Sequence, residues 1–140
     1  ARRPLSLLML DLDHFKSIND RHGHLVGDDC LRWAAQRIGK VLRQHDALLA
    51  RFGGEEFVVV LPGHDLHSAV AVAEELRQAL ASEPCVSQEL RLRISASIGV
   101  HTIAPEAGDD IDDALETADR ALYAAKANGR DCVRTSISAA

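Results

Sequence analysis

The sequence predicts an α+β fold: a split βαβ core whose mainly antiparallel central sheet is flanked by helices, with one further helix and one edge strand appended. Three observations predict it. An apolar run, Leu5 to Leu12, stands near the start; two strand-like runs flank Gly53-Gly54-Glu55-Glu56; and a strict alternation of apolar and polar residues runs from Leu90 to His101. Between them lie stretches with apolar residues at three- and four-residue steps, so the order is strand, helix, hairpin, helix, strand, the ferredoxin-like arrangement.

Leu5 to Leu12 has no helical break and reads as a central strand ending in Asp11-Leu12-Asp13. Phe15 and Ile18, one turn apart, suggest a short helix closed by Gly23. From Asp28 to about Arg43, Leu31, Ala34, Ile38, Val41 and Leu42 make one apolar face. Ala47 to Phe52 and Phe57 to Leu61 read as an antiparallel hairpin with glycines at its turn, ended by Pro62-Gly63. Asp65 can cap a helix in which Ala69, Val72, Leu76 and Leu80 share a face to about Ala81. The alternation from Leu90 to His101 predicts one strand with a buried face. After a loop through Pro105 and Gly108, Leu115, Ala118, Leu122 and Ala125 mark a helix that Gly129 can end, and Cys132 to Ile137 reads as an edge strand.

Residues 1–140 read as a single domain, with 46% hydrophobic and 26% charged residues, ordinary values for a globular unit. The net charge of −5 argues against a nucleic-acid or anionic-membrane binder, which needs a basic excess. Cys30, Cys85 and Cys132 form neither a CxxC pair nor an even set, so a disulfide framework and a zinc cluster are not suggested and a cytoplasmic location fits. The apolar run Leu7 to Leu10 is too short to span a bilayer, and no direct membrane contact is expected.

In a split βαβ core the second hairpin strand lies antiparallel beside the first strand, so the start of one meets the end of the other. Asp11 and Asp13 should therefore meet Glu55 and Glu56 at one sheet edge. Two carboxylates about 4 Å apart cost on the order of 4 kcal/mol at an effective dielectric near 20 unless a proton or cation intervenes. Hard oxygen ligands of this kind suit magnesium or manganese. Directly after the first strand, the free N–H groups near His14, Phe15 and Lys16 form an anion site at a helix N-terminus. Carboxylate-held metal beside such a site suits a nucleoside triphosphate and phosphoryl chemistry. Taken singly, Asp11 and Asp13 also fit turn and cap positions, and Gly53-Gly54 also fits a plain tight turn with Glu55 and Glu56 solvated; the crossover topology is what couples them. His22 and His24 lack a third ligand and read as solvated or packed, and Trp33 and Tyr123 read as packing residues.

Asp11-Leu12-Asp13-His14-Phe15-Lys16-Ser17-Ile18-Asn19-Asp20, followed by Gly23-His24 and Gly27-Asp28, closely resembles the DxDxFKxxND motif of the GGDEF family. Arg51-Phe52-Gly53-Gly54-Glu55-Glu56-Phe57 is similar to its signature loop in the GGEEF form. Ser97-Ile98-Gly99 and the stretch from Ala118-Asp119 to Gly129-Arg130 match its later motifs. The resemblance implies a palm-like nucleotidyl cyclase fold and a diguanylate cyclase, which condenses two GTP molecules into cyclic di-GMP and two pyrophosphates. It implies two magnesium or manganese ions per active half-site, held by Asp11, Glu56 and the Leu12 carbonyl, with Glu55 at the reacting centre as ligand or base. Asn19 and Asp28 would bind guanine, whose N1–H and amino group suit a carboxylate as adenine does not. His14, Phe15, Lys16, Lys126 and Arg130 would hold phosphates. A homodimer is implied because each domain binds one GTP, and an upstream sensor domain is implied in the intact protein.

The resemblance leaves alternatives open. A catalytically silent GTP or cyclic di-GMP sensor would keep the fold, and a mononucleotide cyclase would share the palm. Arg43-Gln44-His45-Asp46 has the RxxD form of the family's inhibitory product site, but six residues separate Asp46 from Gly53 where five are usual; a helix-terminal Arg and a loop Asp explain it equally. Asp131 stands where the family usually has Asn. The family's N-terminal helix is not found in the sequence.

Overall fold

Almost uninterrupted apolar side chains form β1 (Leu5–Leu12), buried from Ser6 onward. A strand buried on both faces has to lie inside a sheet. In the computed structural model, which describes residues 3–103 and 108–136, β1 does so. It pairs antiparallel with β3 (Glu56–Pro62) on one side and with β6 (Ala96–Ile103) on the other. β2 (Leu48–Gly53) extends the sheet beyond β3, and β7 (Val133–Thr135) runs parallel beyond β6, giving the order β2-β3-β1-β6-β7. This is the predicted α+β architecture, with the hairpin strand β3 beside β1.

The pleat of β1 divides the core. Leu8, Leu10 and Leu12 face a layer made by α2 (His24–Leu42) and α3 (Leu66–Ala81), where Leu31, Ala34, Ile38, Val72, Leu76 and Leu80 are buried. Each such side chain contributes roughly 1.5–3 kcal/mol by leaving water. Leu7 and Met9 face the other way, onto Ala114, Ala118 and Leu122 of α4 (Ile111–Ala127). The short α1 (Phe15–His22) joins the first layer through Phe15. Asp65 and Asp110 cap α3 and α4, accepting from Ser68 N and Asp113 N at 2.9 Å each.

Three boundaries differ from the sequence reading. α2 begins at His24 rather than Asp28, because Gly23 (φ 92°) ends α1 and opens α2 in one step, and the exposed Leu25 hides the first turn's periodicity. The alternation from Leu90 to His101 is not one strand. β4 (Cys85–Ser87) and β5 (Leu90–Leu92) form a separate ribbon, and β6 starts at Ala96. Its turn places Gln88 and Glu89 at φ 48° and 69°, a conformation usually signalled by Asn or Gly, so the sequence concealed it. The edge strand is shorter than Cys132 to Ile137; Pro105 and Ile137 lie outside the described residues.

α4 lies unusually close to the sheet at Gly99. A Cβ there would stand 2.3 Å from Leu122 N and 2.4 Å from Ala118 O, both backbone atoms that cannot turn aside. Gly99→Ala is therefore expected to cost about 1–3 kcal/mol, from overpacking. Urea unfolding measures this, and an unchanged midpoint would show that α4 is free to move off the sheet.

Candidate active site

The register of β1 sets the site. Asp11 lies opposite Glu56 of β3 and Ser97 of β6. The Leu12 N–H donates to the Glu55 carbonyl at 3.3 Å, which fastens the β2–β3 turn to the end of β1. Asp11 is buried, and Glu55 and Glu56 are half-buried beside it. Asp13 has a different task from the one its position suggested. Both its oxygens are engaged, accepting from Ser97 Oγ and Ser95 Oγ at 2.6 Å each and from Asp131 N at 2.9 Å.

Burial pushes the Asp11 carboxyl above its ordinary value; the hydrogen bond and charge of Lys126 oppose this, and Glu55 and Asp13 add to it. Lys126 Nζ donates to Asp11 Oδ2 at 2.5 Å from the last turn of α4. Glu56 is also raised, by burial first and then by Asp11 and Asp119. The site thus holds more negative charge than one lysine offsets.

Asp11, Leu12 and Glu55 border a cleft of about 270 Å³ with Lys126, Arg130 and the first turn of α1, His14 to Ser17. His14, at the N-cap position of α1, is left-handed (φ 57°) and makes no capping side-chain hydrogen bond, and among the described residues no other side chain accepts from the helix's first N–H groups. They are a ready anion site. Asn19 lies against Gly27, where a Cβ would stand 1.8 Å from Asn19 Oδ1, and this contact brings Asn19 next to Asp28. Asp28 borders a smaller cleft of about 160 Å³ with Leu31, Arg51 and Phe57.

Sequence reasoning missed Arg51, which donates from Nε to the Gly54 carbonyl at 2.9 Å and spans the signature turn and the Asp28 cleft. Its place just before the glycines was the available signal. Gly53 and Gly54 are not at positive φ, and an added Cβ at either meets nothing within 4 Å. The turn itself therefore does not require glycine, contrary to the reason expected. Arg43 and Asp46 lie exposed beyond α2, with His45 between them paired to Glu75 at 3.1 Å. The register shift between Arg51 and Gly53 leaves Phe52 as an extra residue in β2, so a bulge absorbs length just before the turn.

Among the described residues no three His, Cys, Asp or Glu side chains converge as a closed metal site, His22 and His24 included. The donor chemistry nevertheless fits a hard divalent cation: carboxylates forced together, protonated more readily than usual, with Lys126 nitrogen standing against one of them. Raised carboxyl groups stabilise the fold below their ordinary values, 3.8 and 4.5 here, and lose that contribution as pH rises through the raised values. Metal-free protein at pH 7 therefore carries a penalty. Manganese about a hundredfold above its dissociation constant should add about 2.7 kcal/mol at pH 7. The gain should shrink as pH falls toward the carboxyl range and be largely absent in Asp11→Asn. Thermal unfolding measures it, and an equal gain in Asp11→Asn would place the cation elsewhere.

The profile of the family described as diguanylate cyclase, GGDEF domain, matches residues 1–132. The diguanylate cyclase DgcP of Pseudomonas aeruginosa is 47% identical over 128 residues, 91% of this chain and 18% of that protein. The response regulator PleD of Caulobacter vibrioides is 42% identical over 132 residues, 93% of this chain and 29% of that protein. The chain thus spans less than a third of the length of these two relatives. Among solved structures, the GGDEF domain of DgcB from Caulobacter crescentus, in complex with c-di-GMP, superposes with a TM-score of 0.90 at 35% identity, covering 96% of this chain and 79% of that one. The active GGEEF domain of a Vibrio cholerae diguanylate cyclase gives 0.85 at 38% identity, covering 95% and 83%. No helix among the described residues is long and apolar enough to cross a membrane. With a family match over nearly its whole length, on the fold and motifs described above, this chain belongs to the GGDEF family of diguanylate cyclase domains.

Proposed function

We propose that this chain is a working cyclase domain, which joins two GTP molecules into cyclic di-GMP and releases two pyrophosphates across a domain dimer. The observation that carries the reading is the meeting of Asp11, Glu55 and Glu56 beside an uncapped helix N-terminus, with Lys126 and Arg130 on the same cleft. Carboxylates for a cation and donors for a polyanion are then adjacent, as nucleotidyl transfer needs.

Asp11, Glu55, Glu56 and the Leu12 carbonyl would hold two magnesium or manganese ions, which neutralise phosphate charge and acidify the attacking ribose 3′-hydroxyl. The N–H groups of α1's first turn, with Lys16, Lys126 and Arg130, bind the triphosphate. Lys126, now paired with Asp11, has the phosphates as its competing partner. Glu55, half-buried on the cleft, would serve as a metal ligand or as the base that takes the hydroxyl proton. Asn19 and Asp28 read the guanine edge, Asp28 accepting from N1–H and the amino group. Gly53 and Gly54 keep open the space that side chains would fill. Each 3′-hydroxyl attacks the α-phosphate held by the opposite domain, so docking two loaded domains supplies the orientation, worth roughly 7–11 kcal/mol in favourable cases. Arg43 and Asp46, exposed and away from this cleft, are the candidates for an inhibitory contact with product.

Concentrated protein incubated with GTP and magnesium or manganese, with the nucleotides separated by chromatography, tests the reading. Cyclic di-GMP is expected from the wild type and none from Glu55→Gln, whose fold is unchanged; product from Glu55→Gln would remove Glu55 from the chemistry. No product even after forced dimerisation through a fused coiled coil would favour a silent sensor. Asp28→Ala should weaken GTP binding about tenfold or more while leaving ATP binding as weak as before, on the scale of a lost charge-assisted hydrogen bond. Equal effects on both nucleotides would sink the guanine role.

A further inference from the structure

The turn after α4 is built from backbone conformations that side chains resist. Gly129, Arg130 and Asp131 stand at φ 106°, 66° and 47°, three successive residues in the left-handed region, two of them with a Cβ. Such a run persists only where its surroundings hold it. Three contacts do so. Arg130 N donates to the Ala125 carbonyl at 3.1 Å, Asp131 N donates to Asp13 Oδ2 at 2.9 Å, and the Asp131 carboxylate accepts from Arg77 Nη1 at 2.9 Å.

The two anchors outside the turn are themselves fixed. Asp13 is 6% exposed and tied to β6 through Ser95 and Ser97. Arg77, on α3, gives Nε and Nη2 to Glu74 at 3.2 and 3.0 Å, which leaves Nη1 aimed at Asp131. Arg130, the middle residue of this turn, borders the cleft shared with Asp11 and Lys126.

We propose that Arg77 and Asp131 are positioning residues for Arg130, and that their ion pair sets how tightly the cleft holds the phosphates of the nucleotide. The inference rests on the reading of that cleft as a triphosphate site. A carboxylate next in sequence to a phosphate-binding arginine is a hazard: left unpaired, it competes with phosphate for Arg130 and Lys126 and repels the polyanion. Arg77 removes the hazard by holding the carboxylate on the α3 side. An asparagine at 131 would have no charge to hold and would keep the backbone bond to Asp13. The Asp131 side chain is 47% exposed, and a pair with one partner this open to water contributes little to stability, so the effect belongs to binding more than to folding.

Calorimetric titration with GTP and with inorganic pyrophosphate, each with magnesium, tests this on wild type, Arg77→Ala and Arg77→Ala/Asp131→Asn, alongside thermal unfolding. Arg77→Ala is expected to weaken both ligands about tenfold, the scale of one unit charge freed near a polyanion at the protein surface. Its melting temperature should change little, and where turnover is measured KM should rise with kcat nearly constant. Adding Asp131→Asn should restore affinity to within about threefold of wild type. Wild-type affinity in Arg77→Ala would overturn the proposal, as would a double variant no tighter than the single one. A wild type that binds neither ligand would overturn the reading of the cleft itself, and the proposal with it, an outcome distinct from both.

Discussion

Everything at the site depends on β1 being an interior strand with antiparallel partners on both sides. Its pleat sends Leu8, Leu10 and Leu12 to one helical layer and Leu7 and Met9 to the other, so a slip of one residue would exchange both cores at once. The apolar packing therefore specifies the register strongly. Because it is fixed, Asp11 must stand across from Glu56, and the turn that carries Glu55 must reach the Leu12 N–H. Hydrophobic burial along the strand thus places carboxylates together that would separate if left to their own electrostatics.

That enforced proximity is costly, and the surrounding contacts sort the acidic groups by function. Asp13 has its oxygens saturated by two serine hydroxyls and a backbone amide, which makes it a tie between β1, β6 and the turn after α4. Asp11 has one lysine and a protonation tendency raised by burial, which leaves it open to exchange its partner for a stronger cation. Two aspartates separated by a single residue, one near the end of β1 and one just beyond the strand, therefore have opposite roles: Asp13 is satisfied and structural, Asp11 is undersupplied with positive charge. The distinction rests on what surrounds each carboxylate, since the residue type is the same.

The periodicities made the sheet, its helices and the meeting of Asp11 with Glu55 and Glu56 legible, because burial on two faces and the crossover rule depend on pattern alone. The packing of Asn19 on Gly27, the residue before Asp28, was not legible, because nothing in the spacing of the motif announces that contact. Features set by backbone conformation at ordinary residues were hidden. Gln88 and Glu89 make the β4–β5 turn without glycine or asparagine, which hid the ribbon, and the alternation from Leu90 to His101 keeps its phase across the break between Leu92 and Ala96. The role of Asp13 was hidden too, because its serine partners lie more than eighty residues away. Arg77 acts through a long side chain on Asp131, 54 residues away, which no spacing within α3 announces, whereas the place of Arg51 just before the glycines was a signal the reading did not use.

A further regularity concerns where local preference is overridden. His14 takes a left-handed conformation at the start of α1, whose N-cap makes no side-chain hydrogen bond; Arg130, on the same cleft, and its neighbour Asp131 are left-handed too. Gly53 and Gly54, between them, occupy a turn that demands neither glycine. α3 and α4 follow the ordinary rules, with Asp65 and Asp110 each capping an N-terminus as their position requires. Apart from the β4–β5 turn at Gln88 and Glu89, the described non-glycine residues at positive φ, His14, Arg130 and Asp131, stand at or beside this one cleft, as expected of a site where binding as well as folding selected the residues. The uncapped N–H groups and the held-back carboxylate of Asp131 favour a negatively charged ligand, and the unneeded glycines leave it room. What the fold gives up locally at these points, the packing of β1 and its two layers makes good, and this is why the strained turn and the crowded carboxylates stand at the end of the most deeply buried strand rather than at an edge of the sheet.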